Sequence, residues 1–206
     1  MITINPADLE RSQVYKLLTG SIVPRAIAWV SSQALDGTLN LAPFSYFTAV
    51  SANPPMVLFC PGTRSADMGE KDTYHNVKAT GEFVINFVGA HNAEAMNITA
   101  TEVPADVDEF KRAGVTPIDS HIISVPRVAE SPIQFECKLN QIVDAGDGHV
   151  VIGEVVYMHF QEDVYQTGNY INMEAYAPIA RLAGPNYAHL ANFFQLQRQP
   201  SEIKPK

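Results

Sequence analysis

The most restrictive feature of this sequence is a tight-turn signal between two segments rich in β-forming residues. Asp36 and Gly37 separate the segments Ile22–Ser32 and Leu39–Ser51, and an Asp-Gly pair in this position favours a tight hairpin turn. We therefore expect the two segments to pair as antiparallel strands. Other β-rich segments follow, with helices inserted among them rather than in strict alternation. This pattern favours a mainly β fold, an antiparallel barrel with helical decoration, over a doubly wound α/β sheet.

The remaining elements are predicted from hydrophobic periodicity and from residues that begin or end helices. Strands are expected at Met56–Cys60, Phe83–Val88, Ile122–Val128, Ile133–Val143 and His149–His159. Helices are expected at Leu9–Leu18, Asp72–Ala79, Asn92–Thr101, Asp106–Ala113 and Ala188–Leu196. Gly20 is expected to end the first helix, and alternation in Phe135–Asn140 predicts a strand with one solvated face. No repeat or linker divides the 206 residues, so a single domain over residues 1–206 is expected.

Composition and charge narrow the class of protein. The net charge of −8 argues against nucleic-acid binding, which needs a basic face or stripe. No apolar run approaches the roughly 18–20 residues that span a bilayer, and the N-terminus lacks the pattern of a signal peptide. Cys60 and Cys137 lie in apolar runs and are expected to be reduced core thiols. We therefore expect a soluble cytoplasmic protein without a membrane or nucleic-acid partner.

Common catalytic signatures are missing from the sequence. It contains no GxxxxGK(S/T) phosphate loop, no GxGxxG after a strand, no GxSxG nucleophile turn and no HExxH helix. The six histidines form no i, i+4 pair, so no metal site is expected. Hydrolases and Rossmann-type dehydrogenases are therefore disfavoured.

One group of residues has the character of an anion site. Arg64 and Ser65 lie in a loop after an apolar strand, and Lys71, Asp72 and Thr73 open a predicted helix. The N-terminus of a helix offers free N–H groups and a partial positive charge, so these residues together predict a phosphate cradle. In the alternative interpretation, Asp72 and Thr73 only cap the helix, while Arg64 and Lys71 are solvated.

A second group suits a flat aromatic ligand. In Asn40–Phe47, the small residues Ala42 and Ser45 lie beside aromatic residues, and small side chains let a planar ring approach the backbone. Asn40, Ser45 and Ser31 supply polar groups for the edge of such a ring. Pro43 predicts a bulge or a sheet edge in the same segment, since proline cannot donate to a strand ladder. The alternative is an ordinary strand with an aromatic core face.

Four segments in order resemble the flavin reductase-like family, whose fold is the FMN-binding split barrel. They read IVPRAIAWVSS, NLAPFSYFTAVSANPP, KDTYHNVKATGEFVIN and ARLAGPNY, and they fall between about residue 15 and residue 190. Within the family, the chain is similar to the flavoredoxin and ferric-reductase-like branch. The resemblance implies an antiparallel split β-barrel, bound FMN and a homodimer with flavin near the subunit seam.

The resemblance also assigns roles to individual residues. It implies that five residues line the flavin, namely Asn40, Leu41, Ala42, Ser45 and Phe47. Tyr187 in the fourth motif is similar to an aromatic residue that closes over the flavin or over the dimer seam. Trp29, the single tryptophan, is either a core residue or a ligand contact. A predicted apolar helix face of Leu190, Phe193, Phe194 and Leu196 belongs either to a dimer interface or to the barrel's own packing.

The activity implied by the resemblance is hydride transfer from NADH or NADPH to FMN, followed by electron transfer to free flavin, ferric iron or a protein redox partner. Flavin reductases of the family often carry a Gly-Asp-His that seats the nicotinamide. When this sequence is aligned with the family motif on Gly153, the position of the motif histidine is occupied by Gly148, and His149 comes one residue later. A shift of one residue along a strand turns the side chain to the opposite face of the sheet. His149 is therefore either a nicotinamide contact restored by a bulge or a polar hairpin residue.

Three functional hypotheses follow. The first is an NAD(P)H-dependent, FMN-binding oxidoreductase. The second is a flavoredoxin-like electron carrier with tightly bound FMN and no catalysis of its own, which the displaced histidine favours. The third is a barrel that binds a ligand other than flavin. The final residues, 198–206, are expected to fray or to wrap around a partner.

Overall fold

The computed structural model describes residues 1–197 and residue 199. The strands of the main sheet are β1 (Ala28–Gln33), β2 (Leu39–Phe44), β3 (Phe47–Ala52), β4 (Pro55–Phe59), β5 (Glu82–Phe87), β8 (Ile133–Ala145) and β9 (Gly148–Phe160). Short two-stranded pairs are formed by β6 (Pro117–Ile118) with β7 (Arg127–Val128), β10 (Tyr165–Gln166) with β11 (Tyr170–Ile171), and β12 (Ile179–Arg181) with β13 (Tyr187–His189).

The helices are short and lie outside the sheet. They are α1 (Arg11–Ser21), α2 (Asp72–Thr80), α3 (Ala93–Ile98), α4 (Glu109–Ala113) and α5 (Met173–Tyr176), with single 3₁₀ turns at Pro6–Asp8 and Ala90–Asn92. Within the described part of the chain, none of these helices has the length and hydropathy needed to cross a bilayer.

The main sheet has seven strands in the order β2-β1-β5-β8-β9-β4-β3, and every neighbouring pair is antiparallel. The expected mainly β fold with helical decoration is therefore confirmed. The predicted hairpin is also present, with Ala28 opposite Phe44 and Gln33 opposite Leu39.

The sheet closes on itself where its two edge strands meet. The single strand expected at Leu39–Ser51 is divided into β2 and β3, which stand at opposite edges of the strand order and are separated by Ser45 and Tyr46 alone. Phe44 and Phe47 are three residue steps apart, which span at most about 11 Å, so the two edges must approach each other at this point. The result is a barrel with a seam between β2 and β3, in agreement with the sheet edge that Pro43 predicted.

The core has two main parts, one on each face of the sheet. Alternation along β1 directs Ala28 and Val30 into the barrel and Trp29 toward the layer of α3 and α4. The barrel interior is tightly packed around Gly153, since a Cβ atom there would lie 2.3 Å from Cζ of Phe83. This glycine allows β9 to approach the buried aromatic ring.

Two predicted boundaries in the first quarter of the chain are wrong. The first helix runs over Arg11–Ser21 rather than Leu9–Leu18, and Gly20 lies within it rather than ending it. The helix continues because the N–H of Ile22 still bonds to the carbonyl oxygen of Leu18. The first strand begins at Ala28, six residues later than Ile22.

The strand predicted at Ile122–Val128 is reduced to Arg127–Val128 for a clear reason. The carboxylate of Glu136 accepts hydrogen bonds from the backbone N–H groups of His121 (2.5 Å), Ile122 (2.7 Å) and Ile123 (3.3 Å), which holds this segment away from a strand ladder. The solvated face expected on β8 is present at Lys138 and Asn140, which are exposed, but not at Glu136, which is fully buried.

The helix predicted at Ala188–Leu196 is absent. Tyr187–His189 is a strand instead, and residues 190–197 have no regular structure. Asn192 has a φ of 58°, a left-handed conformation that interrupts a right-handed helix. The side chains of Leu190, Phe193, Phe194 and Leu196 are exposed. Of residues 198–206, only Gln199 is described, so the expectation for that segment lies outside the described residues.

Candidate functional site

A cleft of about 480 Å³ opens beside the barrel seam. Its walls are β2, the loop after β4, the start of α2 and the loop between α3 and α4. It brings together most of the predicted site residues: Asn40, Ala42, Ser45, Arg64, Ser65, Lys71, Asp72 and Thr73. The two groups that the sequence suggested separately, for a ring and for an anion, therefore line one cleft.

We define the cleft floor as Asn40, Thr73 and Glu109. Oδ1 of Asn40 accepts hydrogen bonds from the hydroxyl groups of Thr73 (2.7 Å) and Ser32 (3.0 Å). The amide of Asn76 donates to the same Ser32 hydroxyl at 3.2 Å. Because Thr73 and Asn76 belong to α2, this network fixes the helix against strands β1 and β2.

Glu109 was not expected from the sequence. Its Oε2 accepts hydrogen bonds from the side-chain amide of Asn40 and from the backbone N–H of Leu41 at 2.6 Å. The residue is only 5% exposed. Burial, opposed by the Leu41 hydrogen bond and reinforced by the negative charge of Asp72, raises the pKa of Glu109 to about 7. The cleft floor thus contains a carboxyl group that changes charge near neutral pH.

We define the cleft rim as Arg64, Ser65, Lys71 and Glu102. Nε and Nη2 of Arg64 each lie 3.0 Å from a carboxylate oxygen of Asp67. Nζ of Lys71 lies 2.5 Å from Glu102, which also accepts hydrogen bonds from Ser65. Hydrogen bonds from Lys71 and Ser65 lower the pKa of Glu102 to about 2. The cations of the rim are therefore already paired with carboxylates of the same chain.

The start of α2 has the form of an anion-binding helix terminus. Lys71, rather than Asp72 or Thr73, is the N-cap residue, and its side chain makes no capping bond. Among the described residues, the backbone N–H groups of Asp72 and Thr73 donate to no protein oxygen. Both residues line the cleft, so these N–H groups are available to a ligand. Gly81, with a φ of 72°, ends the helix as expected.

Further cleft residues were missing from the sequence interpretation. The guanidinium of Arg11 contacts the carboxylate of Asp147 and donates from Nη2 to the Thr63 hydroxyl at 3.3 Å. Tyr15 and Tyr46 also line the cleft. Arg11 and Tyr15 belong to α1, and no local sequence signal connects that helix with β2.

Five of the residues predicted as flavin contacts do not line this cleft. The side chains of Trp29 and Ser31 are fully buried and bond to Thr99 and to the Pro126 carbonyl oxygen, respectively. Leu41 is buried in the core, although its N–H group supports Glu109. Phe47 packs edge-on against Phe87 in the barrel, with ring centroids 5.9 Å apart. Their side chains are directed into the protein because each has its apolar or hydrogen-bonding partners there.

Tyr187, the fifth residue, lines a second cleft of about 750 Å³. The guanidinium of Arg181 lies 4.5 Å from the centre of its ring, a cation–π distance. Tyr15, Pro43 and Ser45 line both clefts, so the second cleft continues from the first across the end of β2.

His149 lies in the β8–β9 hairpin and lines neither cleft. Its Nδ1 lies 2.8 Å from Asp144 and its Nε2 lies 3.2 Å from Glu70, while its ring stacks on Tyr74 with centroids 4.1 Å apart. Residues His149–Gly153 of β9 pair one after another with β8, and the register shift opposite Ile152 and Gly153 adds an extra residue, Asn140, to β8 rather than to β9. The strand therefore lacks a bulge that would turn His149 to the face of the preceding position.

Other reactive groups are inert or scattered. Burial raises the pKa of the Cys60 and Cys137 thiols, and both cysteines are free. Burial therefore disfavours the thiolate form of both cysteines. In the part of the chain that the structure describes, no group of three His, Cys, Asp or Glu side chains is arranged to hold a metal ion.

Three solved structures share the architecture of this chain. Nitrilotriacetate monooxygenase component B of Bacillus cereus is 40% identical, with a TM-score of 0.91, and the match covers 95% of this chain and 98% of that one. The 2-nitrobenzoate 2-nitroreductase of Pseudomonas fluorescens is 31% identical, with a TM-score of 0.88 and 99% coverage of both chains. A split-barrel-domain protein of Shewanella frigidimarina, at 24% identity, has a TM-score of 0.82 and coverages of 94% and 96%. The sheet is therefore a split β-barrel, as expected.

The sequence profile of the flavin reductase like domain matches residues 19–179, which is most of the chain. The protein belongs to the flavin reductase-like family, as the four sequence motifs predicted. Membership of this family supports an oxidoreductase role and a flavin ligand.

Proposed function

We propose that this protein is an FMN-binding oxidoreductase that uses NADH or NADPH to reduce flavin or a flavin-coupled acceptor such as ferric iron. The observation that carries the proposal is a single cleft that is lined both by the anion-binding side chains of Ser65 and Lys71 and by the small residue Ala42 of β2. Ser65 and Lys71 already donate hydrogen bonds to the carboxylate of Glu102, which supports an anion subsite at these residues. The volume of the cleft is in the range of cofactor sites.

The protein's own residues would act by binding and orienting the cofactor. Lys71, Ser65 and the N–H groups at the start of α2 would hold the phosphate, and the backbone of β2 near Ala42 would face the ring. When bound, FMN supplies the two-electron chemistry by accepting a hydride from the nicotinamide. The buried hydrogen bonds among Asn40, Thr73 and Glu109 would keep the cleft floor rigid.

We further propose that the protein acts as a cytoplasmic homodimer. The exposed apolar side chains of Phe193, Phe194 and Leu196 support this, since an exposed apolar segment is typical of an interface. The free cysteines fit a reducing compartment.

A flavoredoxin-like electron carrier is the alternative, and the position of His149 favours it. Both ring nitrogens of His149 face carboxylates, and the residue lies outside both clefts, so it is poorly placed to seat a nicotinamide. An enzyme would then need other groups for the nicotinamide, whereas a carrier would need none.

The first experiment is an absorption spectrum of the purified protein from about 300 to 550 nm, recorded with and without added FMN and then under anaerobic NADH or NADPH. A bound flavin that bleaches with a nicotinamide supports the oxidoreductase. A bound flavin that resists both nicotinamides, but accepts electrons from a protein donor, supports the carrier. A protein that binds no flavin contradicts both and favours a different ligand.

A matched pair of variants tests the position of the ring. In A42F the new side chain fills the cleft beside β2, and we expect FMN affinity to fall by at least about 10-fold because the ring loses its access to the backbone. In the control A49F, the same change is made at an exposed position of β3 outside the cleft, and affinity should be unchanged. Equal affinity of A42F and the wild type would remove β2 from the ring site.

A further inference from the structure

The carboxylate of Glu102 is bound by the protein in the way that a ligand anion would be. Its Oε1 accepts hydrogen bonds from the backbone N–H of Ser65 (2.8 Å) and from Nζ of Lys71 (2.5 Å). Its Oε2 accepts from the hydroxyl of Ser65 (3.0 Å) and from the backbone N–H of Ala66 (3.3 Å). Two N–H groups, a hydroxyl and an ammonium converging on two oxygens form a donor set that is typical of phosphate sites.

Glu102 reaches these donors from a distant part of the chain. It lies in the loop between α3 and α4, whereas Ser65 and Lys71 lie between β4 and α2. Among the described residues, the only backbone hydrogen bond made by residues 102–106 is local, from the N–H of Val107 to the carbonyl oxygen of Pro104. The Glu102 side chain is 27% exposed. The segment is therefore free to move without breaking a helix or a strand.

The carboxylate cannot leave the subsite by becoming neutral. The hydrogen bonds from Lys71 and Ser65 lower the pKa of Glu102 to about 2, so it remains ionised at any ordinary pH. A second anion therefore cannot share these donors without strong repulsion, and one of the two has to withdraw.

The carboxylate of Asp67, which pairs with the rim residue Arg64, is not free to move away from its partner in the same way. Asp67 lies three residues from its partner Arg64, and its Oδ1 also accepts a hydrogen bond from the N–H of Gly69 at 2.9 Å. It belongs to the same loop as the cation that it neutralises. Of these two carboxylates, Glu102 is therefore the one that can move away from Ser65 and Lys71 together with the loop between α3 and α4.

We propose that Glu102 is a specificity-determining residue, an internal competitor whose carboxylate occupies the phosphate subsite and is displaced by the phosphate of the incoming flavin. This inference rests on the proposed function, because it takes the ligand phosphate to bind at Ser65, Ala66 and Lys71. A phosphate carries about −1.5 to −2 charges and three acceptor oxygens, so it replaces a single carboxylate favourably. A flavin without phosphate gains nothing at this subsite. Glu102 therefore sets how strongly the protein distinguishes phosphorylated from unphosphorylated flavin.

The test compares the wild type with E102Q, which keeps the shape of the side chain and removes its charge. We expect FMN affinity, measured by quenching of flavin fluorescence, to rise by about 10-fold, since a hydrogen-bonded charge no longer competes. Riboflavin affinity should change less than about twofold, because riboflavin does not reach the subsite. The control E94Q removes an exposed carboxylate on α3 and should change neither affinity.

An FMN affinity that is unchanged or lower in E102Q, with normal thermal unfolding, overturns the proposal and makes Glu102 a structural support of the loop. If no variant binds any flavin, the proposed function fails, but the competition is still tested by inorganic phosphate alone. The amide resonances of Ser65 and Ala66 should then respond to phosphate at about 10-fold lower concentration in E102Q than in the wild type. An equal response in the two proteins overturns the inference independently of flavin.

Discussion

The two carboxylates beside the cleft, Glu109 at its floor and Glu102 at its rim, have opposite surroundings. Glu109 is 5% exposed, and burial raises its pKa to about 7. The Glu102 side chain is 27% exposed, and hydrogen bonds from Lys71 and Ser65 lower its pKa to about 2. The same chemical group is thus disfavoured as an anion at the cleft floor and strongly favoured at the cleft rim.

This difference indicates that the cleft floor contributes mainly to the stability of the fold and the cleft rim mainly to ligand binding. The cleft floor joins α2, α4 and β2 through buried hydrogen bonds, so changes there act on the stability of the whole protein. The cleft rim joins loops through partly exposed ion pairs, which contribute little to stability but determine the local charge. Substitutions at the cleft floor should therefore lower stability, whereas substitutions at the cleft rim should change binding.

The largest expected effect is at the floor. N40A removes the partner of the Thr73 and Ser32 hydroxyls and of the buried Glu109 carboxyl, and leaving such groups unpaired is costly. We expect the free energy of unfolding to fall by about 3 kcal/mol in urea titrations. The control N140A, at an exposed position of β8, should change it by less than about 0.5 kcal/mol. Equal effects of the two variants would show that the floor network is not stabilising.

The second-largest expected effect is a pH dependence of the unfolding free energy that arises from Glu109. The folded protein keeps the proton of Glu109 up to a pH near 7, whereas the unfolded chain releases it near its ordinary value of 4.5. The unfolded state therefore binds fewer protons between these values, and the contribution of Glu109 makes the free energy of unfolding fall as pH rises, by at most about 3 kcal/mol. Below pH 4.5 and above pH 7 this contribution is constant.

The variant E109Q isolates that contribution, because the glutamine side chain can still accept from Asn40 and Leu41 but does not titrate. The difference in unfolding free energy between E109Q and the wild type should grow in favour of E109Q from pH 4.5 to 7. Other carboxylates titrate in both proteins and cancel in the difference. Parallel pH profiles would mean that the wild-type carboxyl group is ionised in the folded state throughout this range.

Substitutions of the rim cations are expected to change the stability of the protein least, although they should weaken FMN binding strongly. The double variant R64A/K71A removes both cations of the rim, and FMN affinity should fall by about 30-fold, which corresponds to about 2 kcal/mol. Unfolding free energy should change by less than about 0.5 kcal/mol, since the pairs are partly exposed and the Lys71 side chain does not cap α2. Riboflavin binding should be unaffected.

The control for this variant is K78A/K138A, which removes the same charge outside the cleft. If both double variants lose FMN affinity equally, the rim acts only through the net charge of the protein. A large fall in the unfolding free energy of R64A/K71A would mean that the cleft rim, like the cleft floor, stabilises the fold.

The parts of the fold that were predicted correctly depend on local signals. The Asp36-Gly37 pair determines a hairpin within its own neighbourhood, and Gly81 ends α2 through its own left-handed conformation. The cleft residues Asn40, Ala42, Lys71 and Thr73 were found because two short motifs contain them. Elements of this kind need no information about distant segments.

The features that were missed depend on distant partners. Glu109 bonds to a residue 69 positions away, and Glu102 to one 37 positions away, so neither spacing marks them as site residues. The buried Glu136 prevents a strand at Ile122–Ile123 through backbone contacts that no periodicity indicates. Likewise, the apolar spacing of Phe193 and Phe194 suggested a helix that the conformation of Asn192 interrupts.

The seam of the barrel has a consequence for the connectivity of the chain. Ser45 and Tyr46 join the two edge strands and also line the cleft. A circular permutant opened between these two residues would keep every strand of the sheet but would lose the covalent tie across its seam. Its edge strands would be free to separate, which would expose β2 and β3 to pairing with other chains. The Ser45–Tyr46 connection therefore keeps the two edge strands of the sheet close to each other.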